Sequence, residues 1–162
     1  MLGGLSKMCL LPQLKAAWIA ASGPPDLLRV ALERLEVVAD TYLSVNTPVQ
    51  LALPKLLGLR DTIRHPLTAR LRANRVALER ALCGSAASLL PSDGGWSAVL
   101  RVPRHPSEEE RVLRLLEGPG LYVHPGFFFD FPTEAFLVVS LLVPEDAFAR
   151  GAAILAAEAD AP

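Results

Sequence analysis

The sequence is poor in the residues that build disulfide frameworks, metal centres and highly charged surfaces. Only two cysteines occur, Cys9 and Cys83, far apart and without CxxC spacing, which excludes a disulfide scaffold or a cysteine zinc site. Both are expected as reduced, buried thiols in a cytoplasmic protein. The three histidines, His65, His105 and His124, lack HxxxH or HExxH spacing, so a zinc centre is not expected; each reads as a surface or loop residue. Charge of neither sign dominates. Sixteen basic residues against seventeen acidic ones leave a formal net charge of −1, which gives no electrostatic reason for nucleic-acid binding. The basic residues between Arg60 and Arg80 follow helical spacing and read as a solvated face. No uninterrupted apolar run approaches the ~18–20 residues of a membrane span. Pro12, Gln13 and Lys15 interrupt what would be the apolar region of a signal peptide.

What is present is a chain of 162 residues, 51% apolar and 20% charged, enough for one globular core. Residues 1–22 read as two short strands around a turn, with Gly3-Gly4 opening, Pro12 breaking any helix, and Ala16 to Ala21 fit for a buried strand. Gly23-Pro24-Pro25-Asp26 stops that element and starts a helix with Asp26 as cap; it ends near residues 40–44. Asn46-Thr47-Pro48 opens a second helix that stops at Gly58. A long one follows from about Thr62 to Leu82.

The texture changes at Gly84. Pro91 to Gly95 is a turn cluster. Trp96 to Val102 alternates as a strand, with Trp96, Ala98, Leu100 and Val102 on one side. Ser107 and Glu110 form a capping box for a helix ending at Glu117. Leu121-Tyr122-Val123 is a short strand and Phe136 to Val143 a long one. The latter carries no charge and so belongs inside a sheet. Pro144-Glu145-Asp146 starts the last helix, which buries Phe148, Ile154 and Leu155. The second half is therefore an α+β layer on one sheet, and the first half is mostly helix.

The residues that carry chemistry lie at the start. Gly3-Gly4-Leu5-Ser6-Lys7 places a lysine behind a small hydroxyl residue. Lys15 follows eight positions later, and Ala16-Ala17-Trp18-Ile19 comes next. A lysine amine attacks a carbonyl only when unprotonated, so it needs desolvation or a neighbouring cation; Leu5, Met8, Leu10 and Leu11 are apolar neighbours in sequence. This segment resembles the lysine segment of class I/II aminotransferases, the fold-type-I enzymes that use pyridoxal 5'-phosphate (PLP). The resemblance implies that Lys7 forms the Schiff base with the cofactor and is the catalytic residue. It implies that Lys15 occupies the place of the arginine that pairs with the cofactor phosphate, and that Ser6 donates to that phosphate or orients Lys7. Asp26 to Ala39, Pro48 to Ala52, Asp93-Gly94-Gly95-Trp96 and Val123-His124-Pro125-Gly126 follow the family's order over nearly the whole chain.

The implied fold is α/β with an α+β small domain. Residues 1–60 would be the end of the large, PLP-binding domain and 61–162 the small domain. The implied function is amino-group transfer between an amino acid and a 2-oxo acid by a cytoplasmic homodimer in biosynthesis, without nucleic acid, membrane or metal. Several departures stand against this. Lys15 is a point charge where the family has a planar fork, and Gly4 replaces a hydroxyl residue three positions before Lys7. Val138 stands where the family's substrate-carboxylate arginine is expected. Only six residues precede Lys7, so the acid facing the pyridine nitrogen, the stacking aromatic and the phosphate turn have no place. The chain thus looks like the C-terminal part of a transaminase, with an apolar sheet edge that favours instability or association. Two other readings remain: a fold-type-I lyase, decarboxylase or synthase, and a non-catalytic remnant or interaction module. Phe127-Phe128-Phe129-Asp130-Phe131 either plugs the core, with Asp130 turning the chain, or lines an apolar entrance.

Overall fold

A computed structural model describes residues 1–42 and 44–161. The chain forms two compact units, Met1–Pro66 and Leu67–Pro162.

The first unit opens with an antiparallel ribbon of β1 (Leu2–Gly4) and β2 (Ala17–Ile19). Gly3 pairs with Trp18 and Gly4 with Ala17. The register leaves little room for a side chain at either glycine. A Cβ on Gly3 would lie 2.5 Å from Trp18 Nε1, and one on Gly4 would lie 3.1 Å from the Ala16 carbonyl. Between the strands lie a single helical turn, α1 (Leu5–Met8), and a 3-10 turn at Pro12–Leu14. Pro12 starts that turn rather than merely ending a helix, because its missing N–H is not needed there.

Three helices then follow: α2 (Pro25–Thr41), α3 (Thr47–Gly58) and α4 (Arg60–Ala81). Asn46 caps α3, its side-chain oxygen accepting from the Val49 N–H at 3.0 Å. Asp26 is not a cap: Pro24 holds that position, and Asp26 sits in the first turn, where a carboxylate still complements the helix dipole. The unit's core is small, centred on Leu5, Cys9, Ala16 and Val49. β2 is not a buried strand and α2 has no buried residue. Ile19, Leu27, Val37 and Val38 are all more than half exposed, because a two-stranded ribbon is too narrow to cover a 17-residue helix.

In the second unit a fully antiparallel sheet has the order β3 (Ser88–Leu89), β4 (Ser97–Arg101), β6 (Phe136–Ser140), β5 (His124–Pro125). Along β4 and one residue beyond it, Ala98, Leu100 and Val102 alternate into the core as the period of two requires. There they meet Leu78 of α4, Leu115 of α5 (Glu108–Glu117) and Phe148 of α6 (Glu145–Ala159). β6 lies between two strands and is buried on both faces, as its uncharged sequence requires.

Two strands of this unit differ from the sequence reading by more than one residue at an end. Residues 121–123 are not a strand. The Leu121 N–H donates to the Leu115 carbonyl at 2.8 Å, holding this stretch on the end of α5, so pairing starts at His124. β6 stops at Ser140 because the next carbonyls are taken: Asn74 Nδ2 donates to Leu141 O at 2.9 Å and Val143 O at 2.7 Å. The Ser107–Glu110 capping box is present.

Candidate functional site

α1 carries Ser6 and Lys7, and Leu5 sets its orientation. Leu5 is fully buried. Its N–H donates to Ala16 O at 3.0 Å, and its carbonyl accepts from Cys9 and Leu11. At ~100° per residue, two positions on from Leu5 is the opposite side of the turn. Lys7 is accordingly exposed and Ser6 half-buried. The burial of Leu5 therefore aims Lys7 outward, and the apolar neighbours in sequence do not enclose the amine. Of Leu5, Met8, Leu10 and Leu11, only Met8 lines the groove in which Lys7 sits.

That groove has a volume of about 560 Å³ and is lined by Leu2, Gly3, Gly4, Ser6, Lys7, Met8 and Arg64, a size suited to a small ligand. Among the described residues no carboxylate lines it. Arg64 had no signal in the sequence. It reads as one more arginine on a solvated helix, and only the packing of α4 brings it beside Ser6 and Lys7. Lys15 lies at the end of the 3-10 turn in a left-handed conformation (φ 51°); it is exposed and is not among the groove residues. Beside the groove, Arg60 donates to Asp61 through Nε at 3.1 Å and Nη2 at 3.3 Å. These hydrogen bonds hold the Asp61 carboxyl below its ordinary range and raise the Arg60 guanidinium above its own.

In the second unit, Val138 is 5% exposed in the middle of β6, opposite Val99 and His124. The aromatic run does not plug the core. Phe127, Phe128 and Phe129 are 48%, 61% and 51% exposed, because they form a 3-10 turn held at its start by buried Gly126. Asp130 does turn the chain, with φ 56°, and Phe131 stacks on Phe136 at 4.7 Å. His124 is half-buried rather than in a loop, with Tyr122 Oη 3.3 Å from its Nδ1. Cys9 is buried as expected. Cys83 is exposed, since it falls in the turn after α4, its N–H on Arg80 O. Among the described residues no cluster of His, Cys, Asp and Glu could hold a metal, and no helix is long and apolar enough to cross a membrane.

By sequence the chain matches no protein-family model and no curated protein. By structure it matches aminotransferases. It is 21% identical to an aminotransferase from Escherichia coli, with a TM-score of 0.80 over 96% of this chain and 40% of that one. A probable N-succinyldiaminopimelate aminotransferase from Thermus thermophilus gives 22% identity and a TM-score of 0.75, over 97% and 41%. The α-aminoadipate aminotransferase LysN from the same species, solved with N-(5'-phosphopyridoxyl)-L-leucine, gives 22% and 0.69, over 97% and 40%. The chain therefore has an aminotransferase-like fold, that of the C-terminal portion of a fold-type-I enzyme. It spans about two fifths of the length of the proteins it matches.

Proposed function

We propose that this chain is the lysine-bearing portion of a PLP-dependent aminotransferase, moving an amino group between an amino acid and a 2-oxo acid, with Lys7 as the catalytic amine. The observation that carries the reading is the position of Lys7: it leaves the first strand on an outward-facing turn and shares a groove with Ser6. The residues present fit part of such a cofactor, since an amine, a hydroxyl and a guanidinium line one groove. When bound, PLP supplies an electron sink that makes the substrate's α-proton removable. Lys7 would hold the cofactor by its aldehyde, the amine giving up two hydrogens as the carbonyl oxygen leaves in water. Its amine would also hold and move the proton at the substrate α-carbon. Ser6 would donate its hydroxyl to the phosphate, and Lys15, outside the groove wall, would add only its positive charge at a distance. The homodimer and the cytoplasmic, biosynthetic setting belong to this reading and rest on the resemblance.

A second reading keeps the fold and the lysine but changes the reaction to that of a lyase, decarboxylase or synthase. Val138 favours it: a buried valine offers no fork for an α-carboxylate.

The test exploits a sequence with three lysines, Lys7, Lys15 and Lys55. PLP is added to the chain, the adduct is trapped with borohydride, and the tagged peptide is mapped. The tag is expected on Lys7 and is lost in Lys7→Ala. Equal tagging of all three lysines, or none, refutes the proposal and leaves a non-catalytic version of the fold. Product analysis with several amino acids separates transfer from the second reading.

A further inference from the structure

The geometry points to Arg64 as the guanidinium that grips the phosphate of an aldehyde ligand held at Lys7. This rests on the proposed role of Lys7 and adds a binding residue from a distant helix.

Three observations carry it. First, Arg64 lines the same groove as Ser6 and Lys7, so two cations and a hydroxyl line a space with no carboxylate among the described residues of its wall. A doubly charged oxyanion is the ligand such a wall favours. Second, Asp61 pairs with Arg64 only at the edge of ion-pair distance. Asp61 receives two hydrogen bonds from Arg60, at 3.1 and 3.3 Å. Arg64 Nη2 stands 3.9 Å from Asp61 Oδ1, close enough for attraction but too far for a hydrogen bond. The Arg64 side chain is 60% exposed, so its fork is open to a ligand. Third, the fork matches the need. Two parallel N–H donors meet two phosphate oxygens, the contact that Lys15, a point charge outside the groove wall, does not offer.

The experiment uses the whole chain and three probes: PLP, pyridoxal, which lacks the phosphate, and inorganic phosphate. Lys7 tagging is measured against the concentration of each aldehyde, and the Ser6 and Lys7 amide resonances are followed as phosphate is added. In Arg64→Gln, half-maximal tagging by PLP is expected to need about ten times more ligand, the loss of one charge-assisted bidentate contact. Tagging by pyridoxal is expected to be unchanged, and the phosphate-induced amide shifts to disappear. Arg64→Lys restores part of the PLP response. Arg60→Gln turns Asp61 toward Arg64 and weakens PLP tagging while leaving pyridoxal tagging alone. The inference is overturned if Arg64→Gln leaves PLP tagging and the phosphate shifts intact, or lowers tagging by both aldehydes equally. If neither aldehyde tags Lys7 in the unaltered chain but phosphate shifts the amides in an Arg64-dependent way, the catalytic proposal falls and the phosphate site stands. Absence of both signals overturns both.

Discussion

Asn74 offers the sharpest test of how the second unit is held. It is fully buried in α4, and its amide donates to the carbonyls of Leu141 and Val143, 67 and 69 residues away. Its Oδ1 is buried without a partner. In Asn74→Ala both carbonyls lose their donor. That of Leu141 lies in the core, and stranding it costs about 1–3 kcal/mol. That of Val143 lies in a partly exposed residue, where water replaces the donor for about 0.5 kcal/mol. Removing the orphaned Oδ1 returns about 1 kcal/mol, which the cavity left in the core by the shortened side chain takes back. The net loss is about 2 kcal/mol, which lowers the melting temperature by about 4–8 °C in a chain of this size. Asn74→Asp is expected to be worse, since it sets an acceptor against two acceptors. Urea unfolding in a Trp18→Phe background, followed by Trp96 fluorescence, reports this unit, because Leu141 N–H bonds to the Trp96 carbonyl. A loss below about 0.5 kcal/mol for Ala, within ordinary surface scatter, or an Asp variant as stable as Ala, refutes the reasoning.

Gly126→Ala is expected to cost about 1–3 kcal/mol as overpacking, because the new methyl would lie 2.8 Å from Phe136 Cβ and 3.0 Å from the buried Glu108 carboxylate; thermal denaturation measures it. Glu110 is held below the ordinary carboxylate range, first by the Ser107 backbone N–H and then by its hydroxyl. A depressed carboxyl adds stability above its unfolded value of ~4.3, and that stability is lost as pH falls through the folded value. The drop in stability between pH 5 and pH 3 should therefore be smaller in Glu110→Gln than in the unaltered chain. A thiol reagent should modify exposed Cys83 quickly and buried Cys9, whose thiol donates to Leu56 O at 3.5 Å, only after unfolding; equal rates in the folded chain contradict the packing of the first unit.

The elements legible in the sequence are those whose cause is local. Asn46 caps α3 within three residues, Ser107 and Glu110 cap α5 likewise, and the alternation of β4 shows which face is buried. The errors have long-range causes. The exposure of β2 and α2 depends on how much sheet lies beside them. The end of β6 depends on Asn74, the start of β5 on a carbonyl of α5, and the exposure of Phe127 to Phe129 on a turn that Gly126 anchors. Buried charges were equally invisible. Arg111 is 1% exposed and donates to Glu158 O, Pro103 O and His105 O; burial lowers its guanidinium from the ordinary value while Glu158 opposes the change.

The sequence by itself placed most of the elements, because their caps, turns and apolar periods are local, and its resemblance to the aminotransferases implied the fold that the structure shows. It also singled out Lys7, through the small residues and hydroxyl that precede it. Only the tertiary structure decided what stands beside that lysine. Arg64 is 57 positions away, and nothing in its own neighbourhood separates it from the arginines around it. It reaches the groove because buried Leu5 turns Lys7 outward and α4 packs its first turns, through Ile63, on the same small core.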